Sequence, residues 1–302
     1  IQVGMMTSVG IGTAAITVGG VAYGARDYEK LKTTCYYSIK LSMIIAIAIV
    51  ILIEIFAPQI APNDPNFQDI TNKYATMSAK YPLGTDNLGR CVLSRLIYGI
   101  RPTIFLSIFT MISTITIGSL VGIIAGYSEG IVDEVFMRIC DVMLSFPSQV
   151  MILAIVGVLG VGIENVVFAN IIIKWTWYAR MIRSTVVQYR HKNYMLYSKV
   201  INTRHSFVIL KHLLPNIMSE VIILATLDMG WVILNISTLS FLGLGVQAPT
   251  PEWGAMLSEA KNVISTNPNQ MLAPGLAILI VVAVCNLLGD SFRDALDNKE
   301  VA

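Results

Sequence analysis

Long apolar runs separated by short polar stretches dominate the pattern along this chain. Several of these runs approach the roughly 20 residues that an α-helix needs to cross the hydrocarbon core of a bilayer. The pattern therefore predicts an all-α, polytopic membrane protein with six transmembrane helices. The predicted spans are residues 41–56, 103–126, 142–159, 163–178, 217–242 and 271–288.

The stretches between the spans carry their own signals. Apolar residues recur on one helical face of residues 82–101, behind Thr85 or Asp86 as a cap, which predicts an amphipathic helix at the membrane interface. Acidic residues crowd residues 127–141, and these are predicted to form a loop. Glycine and proline residues between 241 and 254 predict a second, turn-rich loop.

Composition supports a membrane protein and excludes other classes. The chain is 55% hydrophobic and only 13% charged. Its net charge of +2 is too small to indicate nucleic-acid binding. The four cysteines, Cys35, Cys91, Cys140 and Cys285, are far apart and predict neither a disulfide framework nor a zinc site.

Residues 180–216 form a basic island between two predicted spans. They contain seven of the 21 Lys and Arg residues and all three His residues of the chain. A basic segment between apolar spans is typical of a cytoplasmic loop. With this loop inside, 14 Lys and Arg residues lie inside and six lie outside, so both termini are predicted to be cytoplasmic.

Within the island, an apolar strip lies beside basic residues and is followed directly by Pro215 and Asn216. The pattern predicts a short cytoplasmic helix that stops at Pro215. It has two interpretations: an interfacial helix held to anionic lipid, or a docking element for a groove on a partner. The apolar strip is Val208, Leu210, Leu213 and Leu214, and the basic rim is Lys199, Arg204, Lys211 and His212.

Motifs for catalysis are lacking in this sequence. It has no glycine-rich phosphate loop of the G-x-x-x-x-G-K-[ST] type and no recognisable nucleophile motif. The three histidines are 14 and seven residues apart, which does not favour a metal site. The chain is therefore predicted to have no catalytic residue, metal or cofactor of its own, and any ATP energy that it used would have to come from another subunit.

Asp228 is the sharpest single candidate, because it lies near the middle of the fifth predicted span. A charge at that depth costs about 2.5 to 3.5 kcal/mol on insertion scales. Asp228 is predicted either to face a cationic substrate in a water-filled path or to be protonated and bonded to a neighbouring helix. Lys174, by contrast, is predicted to snorkel to the inner interface.

Four stretches together resemble a known family. They are YPLGTDNLGRCVLSRLIYG at 81–99, DVMLSFPS at 141–148, KHLLPN at 211–216 and the region from LSFLGLG through SFRDALD at 239–297. These stretches are similar to the inner-membrane permease subunits of dipeptide, oligopeptide and nickel importers of the ATP-binding-cassette class. The resemblance spans about residues 41–299 and implies the type I importer architecture.

The resemblance implies that residues 184–216 form the coupling loop that docks on the ATPase. The family pattern there is E-A-A-x-x-x-G, and this chain departs from it: Leu196, Tyr197 and Ser198 replace the E-A-A, and Asn202 replaces the glycine. Asn tolerates the left-handed backbone conformation, so the turn is predicted to survive. The implied coupling residues are Leu196, Tyr197, Ser198, Lys199, Asn202, Arg204, Lys211, His212, Leu213, Pro215 and Asn216.

The resemblance also implies partners and a location. They are a homologous second permease, two cytoplasmic ATPases that hold ATP and Mg, and an extracellular or periplasmic solute-binding protein, in the cytoplasmic (inner) membrane of a bacterium and in contact with its lipid. Import would proceed by alternating access. The cargo would be peptides or nickel, and Asp228 hints at a cationic or amine-bearing molecule.

Residues 1–40 resemble a different family, the multidrug and toxin extrusion antiporters. The predicted organisation is thus an atypical segment at 1–40, a first span and outer loop at 41–80, and the permease domain at 81–299. Two alternatives remain open, a secondary antiporter fragment and a membrane scaffold without a transport path.

Overall fold

A computed structural model describes residues 55–296, together with Val21 and Tyr37. The first predicted span and the segment at 1–40 therefore lie almost entirely outside the described residues. Within residues 55–296 the chain is nearly all helical, and its β-structure there is one antiparallel bridge between Thr85 and Cys91. The predicted all-α class is confirmed.

Eleven α-helices are described between residues 55 and 296. A short π-helical turn, Ile209–Leu213, joins α8 to α9. The helices are α1 Ala57–Ile60, α2 Val92–Tyr98, α3 Ile100–Ser128, α4 Gly130–Leu144, α5 Ser148–Leu159, α6 Ile163–Arg190, α7 Asn193–Val200, α8 His205–Val208, α9 Leu214–Phe241, α10 Trp253–Ala260 and α11 Asn269–Leu296.

Three helical stretches of the described chain are long and apolar enough to cross a membrane. They are Val92–Ser128, His205–Phe241 and Asn269–Asp290. α4 and α5 make a fourth candidate if the pair, bent by 84°, is one broken span. α6 contains the span predicted at 163–178 but is more polar, with Lys174 near its middle. The number of six spans stays a prediction.

The amphipathic helix predicted at 82–101 is wrong at its start, since α2 begins only at Val92. The Asp86 carboxylate does not cap a helix; it accepts two backbone N–H bonds at 2.9 Å and closes a turn. Gly89 in this turn has a φ of +73°, and a Cβ there would lie 1.8 Å from the Asp69 carbonyl oxygen. Only glycine fits such a close backbone approach.

The acidic loop predicted at 127–141 is also wrong, because α4 occupies most of it. Two of its carboxylates face the basic half of α6. Asp133 accepts bonds from Arg183, with an Nε–Oδ1 distance of 3.0 Å, and Asp141 pairs with Arg180. The charges that indicated a loop are thus neutralised between two helices.

α3 packs closely against α6. Gly118, Gly122 and Gly126 stand one turn apart on α3, and a Cβ at Gly118 would come within 2.5 Å of the Tyr178 Cβ. Small residues at this spacing let membrane helices approach closely. The ends of both helices therefore meet beside the basic island, where Arg190 donates to the Gly126 carbonyl oxygen at 2.8 Å.

The opposite end of the molecule is covered by residues 57–91, here called the 57–91 layer. Two arginines, Arg90 and Arg95, are only 2% and 1% exposed. Each binds both Asp86 and Glu259, with N–O distances of 2.6 to 2.7 Å. We call these four residues the buried charge network, and it fixes the layer to α10.

Candidate functional site

The segment between α6 and α9, residues 191–213, is the candidate coupling site and is called the connecting segment. It contains α7, a turn, α8 and the π-helical turn. α6 ends at Arg190, with His191 as its C-cap, and α7 begins at Asn193. The π-helical turn runs without a break into α9. The segment is therefore covalently continuous with two long helices through short, structured joints.

One face of the connecting segment is anchored in the core. Met195, Val208 and Leu213 are buried and belong to the same apolar cluster as Ile182 of α6 and Ile217 of α9. Apolar burial of this kind contributes roughly 1.5 to 3 kcal/mol per large side chain. The segment is thus held against both helices at once.

The opposite face of the connecting segment is apolar but exposed. Tyr197 is 66% exposed, and a cleft of about 540 Å³ lies between α7 and α8. A contiguous exposed apolar patch outside the core indicates an interaction surface. The exposed apolar residues are Tyr194, Leu196, Tyr197, Val200, Ile201, Phe207 and Leu210.

The predicted apolar strip is therefore divided between two faces. Val208 and Leu213 point into the core, whereas Leu210 is exposed. Leu196 and Tyr197, which replace the first two residues of the E-A-A family pattern, are exposed. Ser198, which replaces the third, is buried, and its hydroxyl donates to the Met195 carbonyl oxygen at 2.7 Å.

Asn202 occupies the turn between α7 and α8. Its φ of +54° lies in the left-handed region, which Asn adopts more readily than most residues. The amide of Thr203 then donates to the Ser198 carbonyl oxygen at 3.0 Å and closes the turn. The prediction that the turn survives the replacement of glycine is confirmed.

Pro215 does not stop the helix, so that prediction is wrong. Pro215 lies in the first turn of α9, where a missing amide donor is tolerated. The π-helical turn just ahead of it widens the backbone, which accommodates the proline ring within one continuous path. Helical structure consequently runs from His205 to Phe241.

The polar residues predicted for coupling lie in or next to this helical stretch. Arg204, Lys211, Pro215 and Asn216 are exposed, and the Asn216 amide donates to the His212 carbonyl oxygen. The His212 ring is half-buried, with its centroid 5.6 Å from that of Phe207. The side chain of Lys199 lies outside the described part of the structure.

Asp228 is buried and bonded to α6. Its two carboxylate oxygens each lie 2.8 Å from the Lys174 Nζ, and the Tyr178 hydroxyl donates to Oδ2 at 2.5 Å. The predicted snorkelling of Lys174 is therefore wrong, because its partner lies on the facing helix at the same depth. Whether Asp228 lines a substrate path stays a prediction.

Sequence reasoning missed this pairing, although a signal was present. Asn170, Lys174 and Tyr178 recur every four residues on α6, which places them on one helical face. Asp228 and Asn235 are seven residues apart on α9 and also share a face. The Asn235 amide donates to the Asn170 Oδ1 at 2.7 Å. Two polar faces in apolar spans predict that the spans pack together.

Comparison with known proteins identifies the family. Residues 118–301 match the model of the binding-protein-dependent transport system inner membrane component. The chain belongs to this family. It is a permease subunit of an ATP-binding-cassette importer, a transport subunit and not an enzyme, and the resemblance seen in its motifs is confirmed.

Individual relatives cover most of the permease. It is 43% identical over 85% of its length to the metal-staphylopine import system permease protein CntC of Staphylococcus aureus, covering 90% of that protein. It is 40% identical over 86% of its length to the nickel transport system permease protein NikC of Escherichia coli, covering 94%. It is 38% identical over 85% of its length to the dipeptide transport system permease protein DppC of Alkalihalophilus pseudofirmus, covering 84%.

The fold and the N-terminal segment have their own matches. The MetNI methionine ABC transporter, solved in inward-facing conformations, superposes with a TM-score of 0.56 at 15% identity, over 68% of this chain and 98% of that chain. Residues 1–63 match the MatE family model. The resemblance of residues 1–40 to a segment of this antiporter family is thus confirmed.

No group of three or more potential metal ligands is found among the described residues. The permease therefore offers no metal-binding cluster in that part of the chain.

Proposed function

We propose that the connecting segment couples ATP hydrolysis in partner ATPases to movement of α6 and α9. One observation carries this proposal: the segment is anchored by buried Met195, Val208 and Leu213 while its other face is apolar and exposed. A push on the exposed face would be transmitted to both helices, because the anchors join them. An interfacial role in lipid remains the alternative for this face.

Membership of the family supports the assembly that we propose. Two cytoplasmic ATPases hold ATP and Mg, a homologous second permease completes the path, and an external or periplasmic solute-binding protein delivers the cargo. The connecting segment and both termini face the cytoplasm. The permease domain extends over residues 81–299, with the coupling loop at 184–216, and import proceeds by alternating access between two positions of this loop.

The proposed cargo is nickel or a metal complex, since two relatives at 43% and 40% identity are named for metal-staphylopine and nickel. A short peptide is the second candidate, since a relative at 38% identity is named for dipeptides. A role for Asp228 as a path residue for a cationic cargo would require a state in which its bond to Lys174 opens, and it is the competing interpretation of this carboxylate.

The coupling proposal is tested with Tyr197→Ala, which removes the exposed aromatic side chain of the connecting segment. Aromatic anchors dominate binding energy at interfaces, so the apparent affinity for the ATPases should fall about tenfold or more. Phe67→Ala is the matched control, because Phe67 is similarly exposed in the 57–91 layer. Co-purification of the ATPases at graded concentration measures the difference. If the Tyr197→Ala permease retained the ATPases as well as the unaltered permease does, the proposal that the ATPases dock on this face would be contradicted.

The cargo proposal is tested by uptake of radiolabelled nickel and of a labelled dipeptide into cells that contain the complete transporter. Cells whose permease lacks residues 196–213 provide the comparison. Uptake of one compound that depends on these residues assigns the cargo. Uptake that persists without them contradicts coupling through the connecting segment.

A further inference from the structure

We propose that a buried polar seam between α6 and α9 fixes their register, so that the two helices and the connecting segment move as one rigid body. This inference rests on the proposed function and names the residues that carry the motion to the middle of the membrane. The seam consists of Asn170, Lys174 and Tyr178 on α6 and Asp228 and Asn235 on α9.

Lys174, Asp228 and Tyr178 form the closed centre of the seam. Lys174 and Asp228 are each only 8% exposed, and Tyr178 is fully buried. The three charged and hydroxyl groups satisfy one another through bonds of 2.5 to 2.8 Å. Trp231 adds its ring at 5.8 Å from the Lys174 Nζ. In the absence of water, breaking such bonds leaves polar groups unpaired, so sliding of one helix past the other is opposed.

The contacts on either side of the seam are apolar. Toward the connecting segment, Ile182 and Val186 of α6 share a cluster with Ile217 of α9. At the far end, Val166 of α6 shares a cluster with Leu239 of α9. Apolar packing is non-directional, and it tolerates small shifts better than a hydrogen-bonded pair does. The seam is therefore the part of the interface that specifies register.

The position of the seam suits a lever. At a rise of 1.5 Å per residue, Lys174 lies about 24 Å along α6 from its end at Arg190, and Asp228 lies about 21 Å along α9 from its start. These distances reach well into a hydrocarbon core of about 30 Å. A displacement of the connecting segment would thus move α6 and α9 together as far as the middle of the bilayer, with no sliding of one helix past the other.

Buried ion pairs are better supported as devices of register than as sources of stability. Replacing such a pair with apolar residues of similar size is often neutral for stability, whereas removing one partner is not. The function of the seam can therefore be separated from folding by changing both partners together.

The test compares the neutral pair Lys174→Met with Asp228→Leu, the reversed pair Lys174→Asp with Asp228→Lys, and the unaltered transporter, each as the full complex in proteoliposomes. The control pair Arg183→Met with Asp133→Leu removes an ion pair between α6 and α4 instead. The readout is the amount of cargo moved per ATP hydrolysed. For the neutral pair we expect ATP hydrolysis within twofold of the unaltered transporter and at least fivefold less cargo per ATP. The reversed pair should recover at least half of the loss, and the control should show none.

A distance measurement tests rigidity directly. Spin labels at Met181 of α6 and Ile222 of α9, two similarly exposed positions, are placed in a background without the native cysteines. The distance should stay constant between nucleotide states in the unaltered permease and should broaden or shift in the neutral pair. A neutral pair with unaltered cargo per ATP and a constant distance would overturn the inference.

A second variant covers the case in which the neutral pair fails to assemble. Tyr178→Phe with Asn235→Leu removes two hydrogen bonds of the seam and leaves the ion pair in place. About twofold less cargo per ATP supports the inference, and an unchanged ratio overturns it. A change in cargo preference with a constant distance also overturns it, because Asp228 would then act on the cargo. Failure of the proposed function would be recognised in a different experiment. In that case the Tyr197→Ala permease would still co-purify with the ATPases as well as the unaltered permease does.

Discussion

The two ends of the permease are built in opposite ways. The 57–91 layer has little regular structure, yet its Arg90 and the neighbouring Arg95 of α2 are buried and bound to the carboxylates of Asp86 and Glu259. The connecting segment is mostly helical, and it is held by apolar anchors on one face only. Its other face presents exposed apolar side chains such as Tyr197 and Val200.

The difference supports the proposal that the connecting segment is the end that depends on a partner. The buried charge network pairs its own charges, and these pairs bind the 57–91 layer to α2 and α10. The connecting segment leaves apolar surface uncovered, and covering that surface is favourable in proportion to its area. The 57–91 layer is held by ion pairs, whereas the connecting segment has an exposed apolar face. This difference agrees with the proposal that the connecting segment receives force from a partner.

The largest effect is expected from Arg95→Met. The substitution leaves Asp86 and Glu259 with one arginine between them, and breaking a buried pair costs about 3 to 5 kcal/mol of unfolding free energy. Arg138→Met is the control, because its 3.6 Å pair with Glu134 is 74% and 68% exposed and should contribute less than about 0.5 kcal/mol. Denaturation of the detergent-solubilised transporter measures both. Equal losses would show that the network is not what holds the layer.

Next in size is Gly254→Ala. A Cβ at Gly254 would lie 2.2 Å from the Ser237 carbonyl oxygen, so α10 must move away from α9. Overpacking of this kind costs about 1 to 3 kcal/mol. Gly157→Ala on α5 is the matched control, since its Cβ would meet nothing within 4 Å and alanine favours the helix. The two variants should therefore shift the unfolding temperature in opposite directions.

A smaller effect is expected at Asn202, which lies in the connecting segment. Asn202→Ala places a side chain of low left-handed propensity at a φ of +54° and should cost about 1 kcal/mol, with weaker coupling. Asn202→Gly should be neutral or better, because glycine adopts this conformation freely. Cargo moved per ATP and thermal unfolding measure the two variants, and similar behaviour of Ala and Gly would exclude a backbone effect.

The smallest effect concerns pH and the carboxylate of Glu252. Burial raises the pKa of this group above its ordinary value of 4.5, although the amides of Gly254 and Ala255 and the hydroxyl of Thr103 donate to it and oppose the rise. The folded state then holds a proton that the unfolded state releases, so stability should fall as pH rises from 4.5 through the raised pKa.

Glu252→Gln should remove this part of the pH dependence, since the amide does not titrate. Unfolding temperatures of the variant and the unaltered transporter are compared over the acidic range. Identical pH profiles would mean that the pKa of Glu252 does not differ between the folded and unfolded states.

Several elements could be predicted from local pattern. The apolar run at 217–242 corresponds to α9 at Leu214–Phe241, because helix length and hydropathy act along one continuous stretch. The turn at Asn202 was predictable from the backbone preference of a single residue. α4 was not, since its charges looked like those of a loop until Arg180 and Arg183 of α6 supplied partners.

By itself the sequence determined the class of the protein, three of the helices that are long and apolar enough to cross a bilayer, the basic island and the family. Only the tertiary structure decided which charges are paired. Lys174 and Asp228 are 54 residues apart in the chain, and their bond exists because the polar faces of α6 and α9 meet. Hydropathy and backbone preference are local properties, whereas the partner of a buried charge depends on which helix faces pack together.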